Sequence, residues 1–213
     1  MPDGLHEEFA TAYVRGMCPD APQDAGLPDL LAHARARGLK LHRFKRTATL
    51  PRVRAVLGAL RALSPASLGD IGSGRGVFLW PLMEAFPALP VTAIERDEHR
   101  LSHLEAVARG GTGRLKTVLA EAARLPFGPG AFDIVTALEV LEHQSDPLPL
   151  AREALRAAAR FVLASVPSLP DDNPEHVQLF TGQSLAALLR EAGARSVKIE
   201  YVLNHIIAIA RVS

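Results

Sequence analysis

The segment ALEVLEHQSDP concentrates groups able to exchange protons or bind ions, with Glu139, Glu142 and His143 at i, i+3 and i+4. On a helical turn that spacing puts all three on one face. Histidine titrates near neutral pH, so His143 could serve as a general base oriented by Glu142. The same cluster could equally do no more than favour a helix start. His176, in NPEHVQLF, is the second candidate base, and together the carboxylates and imidazoles would offer mixed ligands to Mg²⁺, Mn²⁺ or a similar ion. The set is incomplete, because Glu175 and Val177 flank His176 and no further histidine lies beside it.

A second concentration depends on missing side chains. In LGDIGSGRGVF, Gly72, Gly74 and Gly76 occupy alternate positions after Asp70 and around Ser73. Glycine there permits left-handed backbone and removes every Cβ that would hold the chain away from a ligand, although a sharp turn alone would also explain it. The dinucleotide fingerprint G-x-G-x-x-G needs a glycine where Val77 stands. Further along, VTAIERD ends in Glu95, followed by Arg96. A carboxylate at that strand end can accept hydrogen bonds from both hydroxyls of a ribose, or it can cap the next helix. In LAEAARLPF, Glu121 lies between the small Ala120 and Ala122, a shape suited to an adenine edge or to a solvated loop.

These residues need a scaffold that brings them together, and the hydrophobic periodicity supplies one. Before residue 64, LHEEFATAYV, LPDLLAHARARGL and PRVRAVLGALRAL read as amphipathic helices punctuated by Pro and Gly. From Ser67 onward, apolar β-type runs alternate with helical ones. SLGDI, a helix from about Val77, VTAIE, a helix over EHRLSHLEAVARG, LKTVL, FDIVTAL, a helix over PLPLAREALRAAA and RFVLASV follow in order. Such alternation implies a parallel sheet covered by helices on both faces. After GQSLAALLREAG, two β-like runs flank "NH" in SVKIEYVLNHIIAIARV, which predicts a tight antiparallel hairpin. The expected fold is α/β: a doubly wound, mostly parallel, seven-stranded Rossmann-like sheet with an antiparallel C-terminal hairpin and N-terminal helices.

The 213 residues suffice for one continuous core with an appendage. With 48% hydrophobic and 22% charged residues the chain is ordinary for a globular protein, and no run reaches the roughly 18 apolar residues of a membrane span. The start lacks a secretory pattern, and the lone Cys18 offers neither a disulfide nor a Cys-rich zinc site, so a cytoplasmic location is expected. A net charge of +1 gives no overall pull toward nucleic acid. The exception is LKLHRFKRTATLPRVR, whose Lys40, Arg43, Lys45, Arg46, Arg52 and Arg54 could draw phosphates or a carboxylated substrate, or form a solvated face. His33, His42, His99 and His103 are expected on exposed helical surface, and Trp80 is expected to pack against the sheet.

Taken in order, LGDIGSGRG, AIERD, AEAARLPF, FDIVTALEVLEH and EHVQLFTGQSLAALLREAG resemble the class I S-adenosylmethionine-dependent methyltransferases, especially the broad group with LEVLEH after the fourth strand. The resemblance runs from about Ser67 to Ser213. It implies that Asp70, Gly72, Ser73, Gly74 and Gly76 cradle the methionine part of the cofactor, that Glu95 with Arg96 beside it holds the ribose, and that Glu121 and Ala122 meet adenine. Glu139 would be a further cofactor neighbour. Two positions depart from the usual pattern: Asp is commoner than Glu121, and smaller residues are commoner than Arg96.

The activity implied is transfer of a methyl group from S-adenosylmethionine to a small-molecule acceptor, leaving S-adenosylhomocysteine, with His143, Glu142 and His176 as catalytic candidates. Residues 1–63 would form a helical lead-in or lid and residues 64–213 the cofactor-binding domain. One rival is a regulatory or partner subunit that binds the cofactor without catalysis. Another is a metal-assisted O-methyltransferase acting on RNA ribose or a phenol, since methyltransferases of small-RNA 3′ ends and some ubiquinone-pathway enzymes look like this. Val77 and the terminal hairpin speak against a nicotinamide oxidoreductase.

Overall fold

A computed structural model describes residues 5–21, 24–170 and 172–212. Its strands are β1 (Leu68–Ile71), β2 (Val91–Glu95), β3 (Leu115–Leu119), β4 (Phe132–Leu138), β5 (Ala158–Pro167), β6 (Ser196–Val202) and β7 (His205–Arg211). They form one sheet in the order β3-β2-β1-β4-β5-β7-β6. The first five run parallel, and β7 lies antiparallel between β5 and β6. The order reverses between β1 and β4, so their carboxyl ends border the crevice where open α/β sheets bind ligands. β1 is buried along its whole length, as a central strand covered on both faces must be.

Helices α4 (Leu79–Ala85), α5 (Glu98–Arg109), α6 (Leu148–Ala157) and α7 (Gly182–Glu191) connect the strands, preceded by α1 (Glu7–Met17), α2 (Leu27–Ala36) and α3 (Pro51–Leu63). Their starts are locally encoded. Proline occupies the first turn of α2, α3 and α6, the Asp97 side chain accepts from the Arg100 backbone at α5, and Thr181 and Ser184 form a reciprocal capping box at α7. One core packs α1, α3, α4 and α5 against the sheet through residues such as Tyr13, Leu60, Met83 and Leu104. The opposite core is built from α6 and α7 with Leu150, Ala154, Leu185 and Leu189. α1 crosses α5 closely, because a Cβ on Gly16 would fall 1.8 Å from the Ala106 carbonyl oxygen.

Three local expectations change. The helix after the glycine loop starts at Leu79 rather than Val77, which stays 40% exposed within the turn that precedes it. The hairpin turns on Leu203 and Asn204, with Asn204 at φ 57°, so His205 is the first residue of β7. His103 is not on an open surface: its Nδ1 lies 3.0 Å from Tyr13 Oη, and burial, with Arg43 and His99 nearby, lowers its pKa to about 4. His33 is half-buried too, whereas His42 and His99 are exposed. Trp80 is buried, 1% exposed, and its ring packs on Phe9 and Phe44 of the N-terminal segment at centroid distances of 5.2 and 5.3 Å. Cys18 is buried and unbridged. Among the described residues no helix is long and apolar enough to cross a membrane.

Candidate active site

The glycine loop leaves β1 with Gly72, Gly74 and Gly76 all at positive φ: 71°, 55° and 82°. Two of them are also sterically required. A Cβ on Gly72 would meet Val140 at 2.6 Å, and one on Gly76 would meet the Trp80 ring at 2.1 Å. The loop is tied to β2, because the Gly72 backbone N–H donates to the Ile94 carbonyl at 2.8 Å and the Gly74 N–H donates to Glu95 Oε2 at 2.8 Å. Beneath it Asp70 is 3% exposed; Thr136 Oγ1 lies 2.6 Å from its Oδ1 and Ser73 Oγ 2.8 Å from its Oδ2. Burial pushes the Asp70 carboxyl up to about 6, opposed by those two hydroxyls and assisted by the charge of Glu95.

Glu95 is itself buried, and its Oε1 accepts from the backbone N–H groups of Arg96 and Asp97 at 2.9 and 3.0 Å. A carboxylate has about four lone-pair sites, so these donors and Gly74 leave capacity for a ligand hydroxyl. A cleft of about 440 Å³ opens beside it, within the range of small-molecule sites. Gly72, Glu95, Arg96, Glu121, Ala122, Glu139 and His143 lie on its wall. Asp70 and Ser73 lie buried under the loop rather than on that wall, which also excludes Gly74, Gly76, Glu142 and His176.

The expected shared helical face of Glu139, Glu142 and His143 does not form. Glu139 leaves β4 in left-handed backbone at φ 57°, a conformation that costs a non-glycine residue about 1–3 kcal/mol, and a 3-10 turn then covers Leu141–His143. The break sends the side chains apart. Glu139 turns toward β5 and β7, accepting from Ser165 Oγ at 2.7 Å on Oε1 and facing His205 Nε2 at 3.1 Å on Oε2. Glu142, 1% exposed, has its Oε1 4.0 Å from His176 Nε2, and the His143 and His176 rings meet edge to face at 4.9 Å. His143 is therefore oriented by the Glu175 carbonyl, 2.9 Å from its Nδ1, and not by Glu142. With Nδ1–H donating there, Nε2 is left bare. One ligand atom from each of Glu142, His143 and His176 falls within 4.8 Å of the others, a set able to hold a metal ion.

Thr136, Ser165 and His205 escaped the sequence reading. Each lies in a mostly apolar strand, and only the order β1-β4-β5-β7 brings them beside Asp70 and Glu139. The basic run stays largely at the surface, where Arg46 donates to the Leu5 carbonyl at 3.2 Å and pairs with Glu84, while the half-buried Arg43 lies 5.3 Å over the Tyr13 ring.

A glycine loop, a strand-end carboxylate and a crevice meet at the reversal of a 3-2-1-4-5-7-6 sheet, where open α/β sheets bind ligands. Residues 69–160 match a family model described as a methyltransferase domain. A 78-residue stretch is 44% identical to ribosomal RNA small subunit methyltransferase G of Sorangium cellulosum, covering 35% of this chain and 33% of that protein, so the match spans a third of that relative's length. Among solved structures, a SAM-dependent methyltransferase from Aquifex aeolicus superposes with TM-score 0.62 at 18% identity, over 78% of this chain and 92% of that one. The N-terminal domain of EvdMO1 with SAH bound gives TM-score 0.60 at 18% identity, over 76% and 80%. Residues 69–160 therefore carry a methyltransferase domain, and the chain shares the fold of S-adenosylmethionine-dependent methyltransferases.

Proposed function

We propose that this enzyme methylates a small-molecule acceptor on oxygen, nitrogen or carbon in the cleft bounded by Gly72, Glu95, Glu121 and Glu139. S-adenosylmethionine would supply a methyl carbon on a cationic sulfur, whose C–S electron pair would pass to sulfur as the acceptor bonds to that carbon. In this reading Asp70 and the glycine loop hold the methionine part, Glu95 takes the ribose hydroxyls with Arg96 beside it, and Glu121 with Ala122 borders adenine. His143 is the candidate to receive an acceptor proton. Positioning does most of the work, since well-oriented reactants can gain about 7–11 kcal/mol over free encounter. The lead-in, residues 1–63, would back the glycine loop by packing Phe9 and Phe44 on Trp80, and residues 64–213 would form the cofactor domain.

The single observation that favours a small acceptor without phosphate is the charge of the wall. Glu95, Asp97, Glu121, Glu139 and Glu175 line it, against Arg96 and Arg100, which are both exposed. A polyanion would meet carboxylates where it needs cations. An RNA acceptor, which the name of the Sorangium relative would suggest, finds no basic row there. The test is an acceptor panel of amines, phenols and alcohols with formation of S-adenosylhomocysteine as readout. Turnover with one member supports the reading; tight S-adenosylhomocysteine binding without turnover on any member favours the non-catalytic subunit instead.

A second reading has its own observation, the Glu142, His143 and His176 cluster, which would support metal-assisted transfer to a hydroxyl. In that case chelation should abolish turnover and a divalent ion restore it, whereas unchanged turnover in chelator removes the metal from the scheme.

A further inference from the structure

Exposed apolar side chains need no explanation when they are scattered singly, and they mark a binding surface when they gather in one place. Among the described residues, four large aliphatic side chains are more than half exposed: Leu169 at 55%, Val177 at 57%, Leu179 at 51% and Leu203 at 71%. They gather at the carboxyl edge of the sheet. Strand pairing sets Pro167, His205 and Val202 level with one another, so the ends of β5 and β6 and the start of β7 share that edge. The Ser168 N–H donates to the Asn204 carbonyl at 3.0 Å, which brings the adjoining Leu169 and Leu203 to one corner. The Val177 N–H donates to the Glu142 carbonyl at 2.9 Å, and Gln178 Nε2 donates to the Gln144 carbonyl, so Val177 and Leu179 border the turn that carries His143.

The patterning of this segment is inverted. His176 and Gln178 are half-buried, while the aliphatic residues that alternate with them are turned to solvent. Burial alone would arrange them the other way. The cleft meets these side chains at one end only. Strand order places Glu95 and Glu121 toward β2 and β3, and Glu139, His143 and Glu175 toward β4 and the hairpin. With adenosine at the first end, an acceptor comes in over the second, past the aliphatic edge.

We propose that the acceptor is amphiphilic: a polar head that is not anionic faces Glu139 and Glu175, and an alkyl or aryl body lies over Leu169, Val177, Leu179 and Leu203. This deepens the proposed function and rests on it, because it takes the Glu95 end of the cleft as the cofactor's. Continuity with the cleft favours a substrate as the occupant over a second copy of the chain. Four side chains cover only a fraction of the roughly 800 Å² per partner that a stable dimer needs, yet they suffice for one small molecule. The carboxylates on the wall set the sign of the head, since a carboxylate or phosphate placed there meets like charge.

The experiment titrates ethyl-, butyl-, hexyl- and octylamine, each below its micelle concentration, into the full chain saturated with S-adenosylhomocysteine, with calorimetry as readout. Affinity should climb about two- to fourfold per added methylene, as partial to full burial of each CH₂ requires. Alkanoates of equal length should bind at least tenfold more weakly. Two double variants on exposed positions, Leu169→Ser with Leu203→Ser and Val177→Ser with Leu179→Ser, should each lose most of the gain with chain length. Both should keep the wild-type melting temperature and S-adenosylhomocysteine affinity. Wild type whose affinity does not rise with chain length, or variants that keep the wild-type slope, would overturn the proposal. So would a wild-type dimer, or binding to phosphatidylcholine vesicles, that the serine variants abolish, because the edge would then be covered by a second copy or a bilayer. Wild type that binds no S-adenosylhomocysteine would instead refute the cofactor reading, with the amine series on the free chain still deciding what the aliphatic edge holds.

Discussion

The carboxylate of Glu95, at the tip of β2, accepts a hydrogen bond from the Gly74 backbone N–H at 2.8 Å, so one side chain staples the glycine loop to the neighbouring strand. Glu95 also lines the cleft proposed to take the cofactor. Glu95→Ala should therefore weaken S-adenosylhomocysteine by roughly 1–3 kcal/mol, the range for hydrogen bonds to charged groups. A calorimetric change below about 0.3 kcal/mol would show that Glu95 is only a staple.

Asp70 gives a stability signature with a definite sign. Its folded pKa, raised by burial to about 6, lies above the ordinary 3.8, so the folded chain holds this proton more tightly than the unfolded chain does. Stability from this group is greatest below about pH 4, declines as pH rises to about 6 and is level above that. The full loss is on the order of 3 kcal/mol. Asp70→Asn keeps an acceptor for Thr136 and removes the ionisation. Its melting temperature relative to wild type should rise across that window, and a constant difference from pH 4 to 7 would contradict the assignment.

Gly74 and Gly76 should fail in different ways. A Cβ on Gly74 meets nothing closer than the Gly72 carbonyl oxygen at 3.6 Å, so Gly74→Val should still fold, at a backbone cost of about 1–2 kcal/mol, and put its branches where the methionine part lies. Gly76→Ala instead drives a methyl into the Trp80 ring and should destabilise the fold by about 1–3 kcal/mol. Thermal melts and S-adenosylhomocysteine titrations of both variants separate the two effects. Unchanged affinity in Gly74→Val would count against the loop assignment.

The sheet was legible because its strands are short apolar runs punctuated at nearly every end, and LGDIGSGRG, AIERD and FDIVTAL each fell on the strand expected. Glu95 and the glycines were legible for the same reason: residues at strand tips are placed by topology, whatever the details of packing. Glu139 was not. Its i, i+3, i+4 spacing to Glu142 and His143 assumed a helix, whereas the backbone turns left-handed at Glu139 and tightens into a 3-10 turn, so the carboxylates part company. His205 was hidden because "NH" reads as a turn, while Leu203 takes that place and moves the histidine into the strand. Contacts between Glu139, Ser165 and His205 arise from strand order alone, to which no local pattern points.

His143 lies on the cleft wall with its Nδ1 engaged by Glu175 and its Nε2 bare, the arrangement a proton acceptor requires. Once an acceptor is in hand, His143→Ala should lower turnover by about 10²- to 10⁴-fold while leaving S-adenosylhomocysteine affinity unchanged. Wild-type and variant rates that coincide from pH 6 to 9 would eliminate His143 as the base.

The most direct test of the whole account is a crystal structure with S-adenosylhomocysteine at saturating concentration. The amino-acid end should lie against the bend at Gly72–Gly76, a ribose hydroxyl on Glu95 and the base beside Ala122. Nucleoside density elsewhere, or a cleft still empty with ligand in excess, would contradict it.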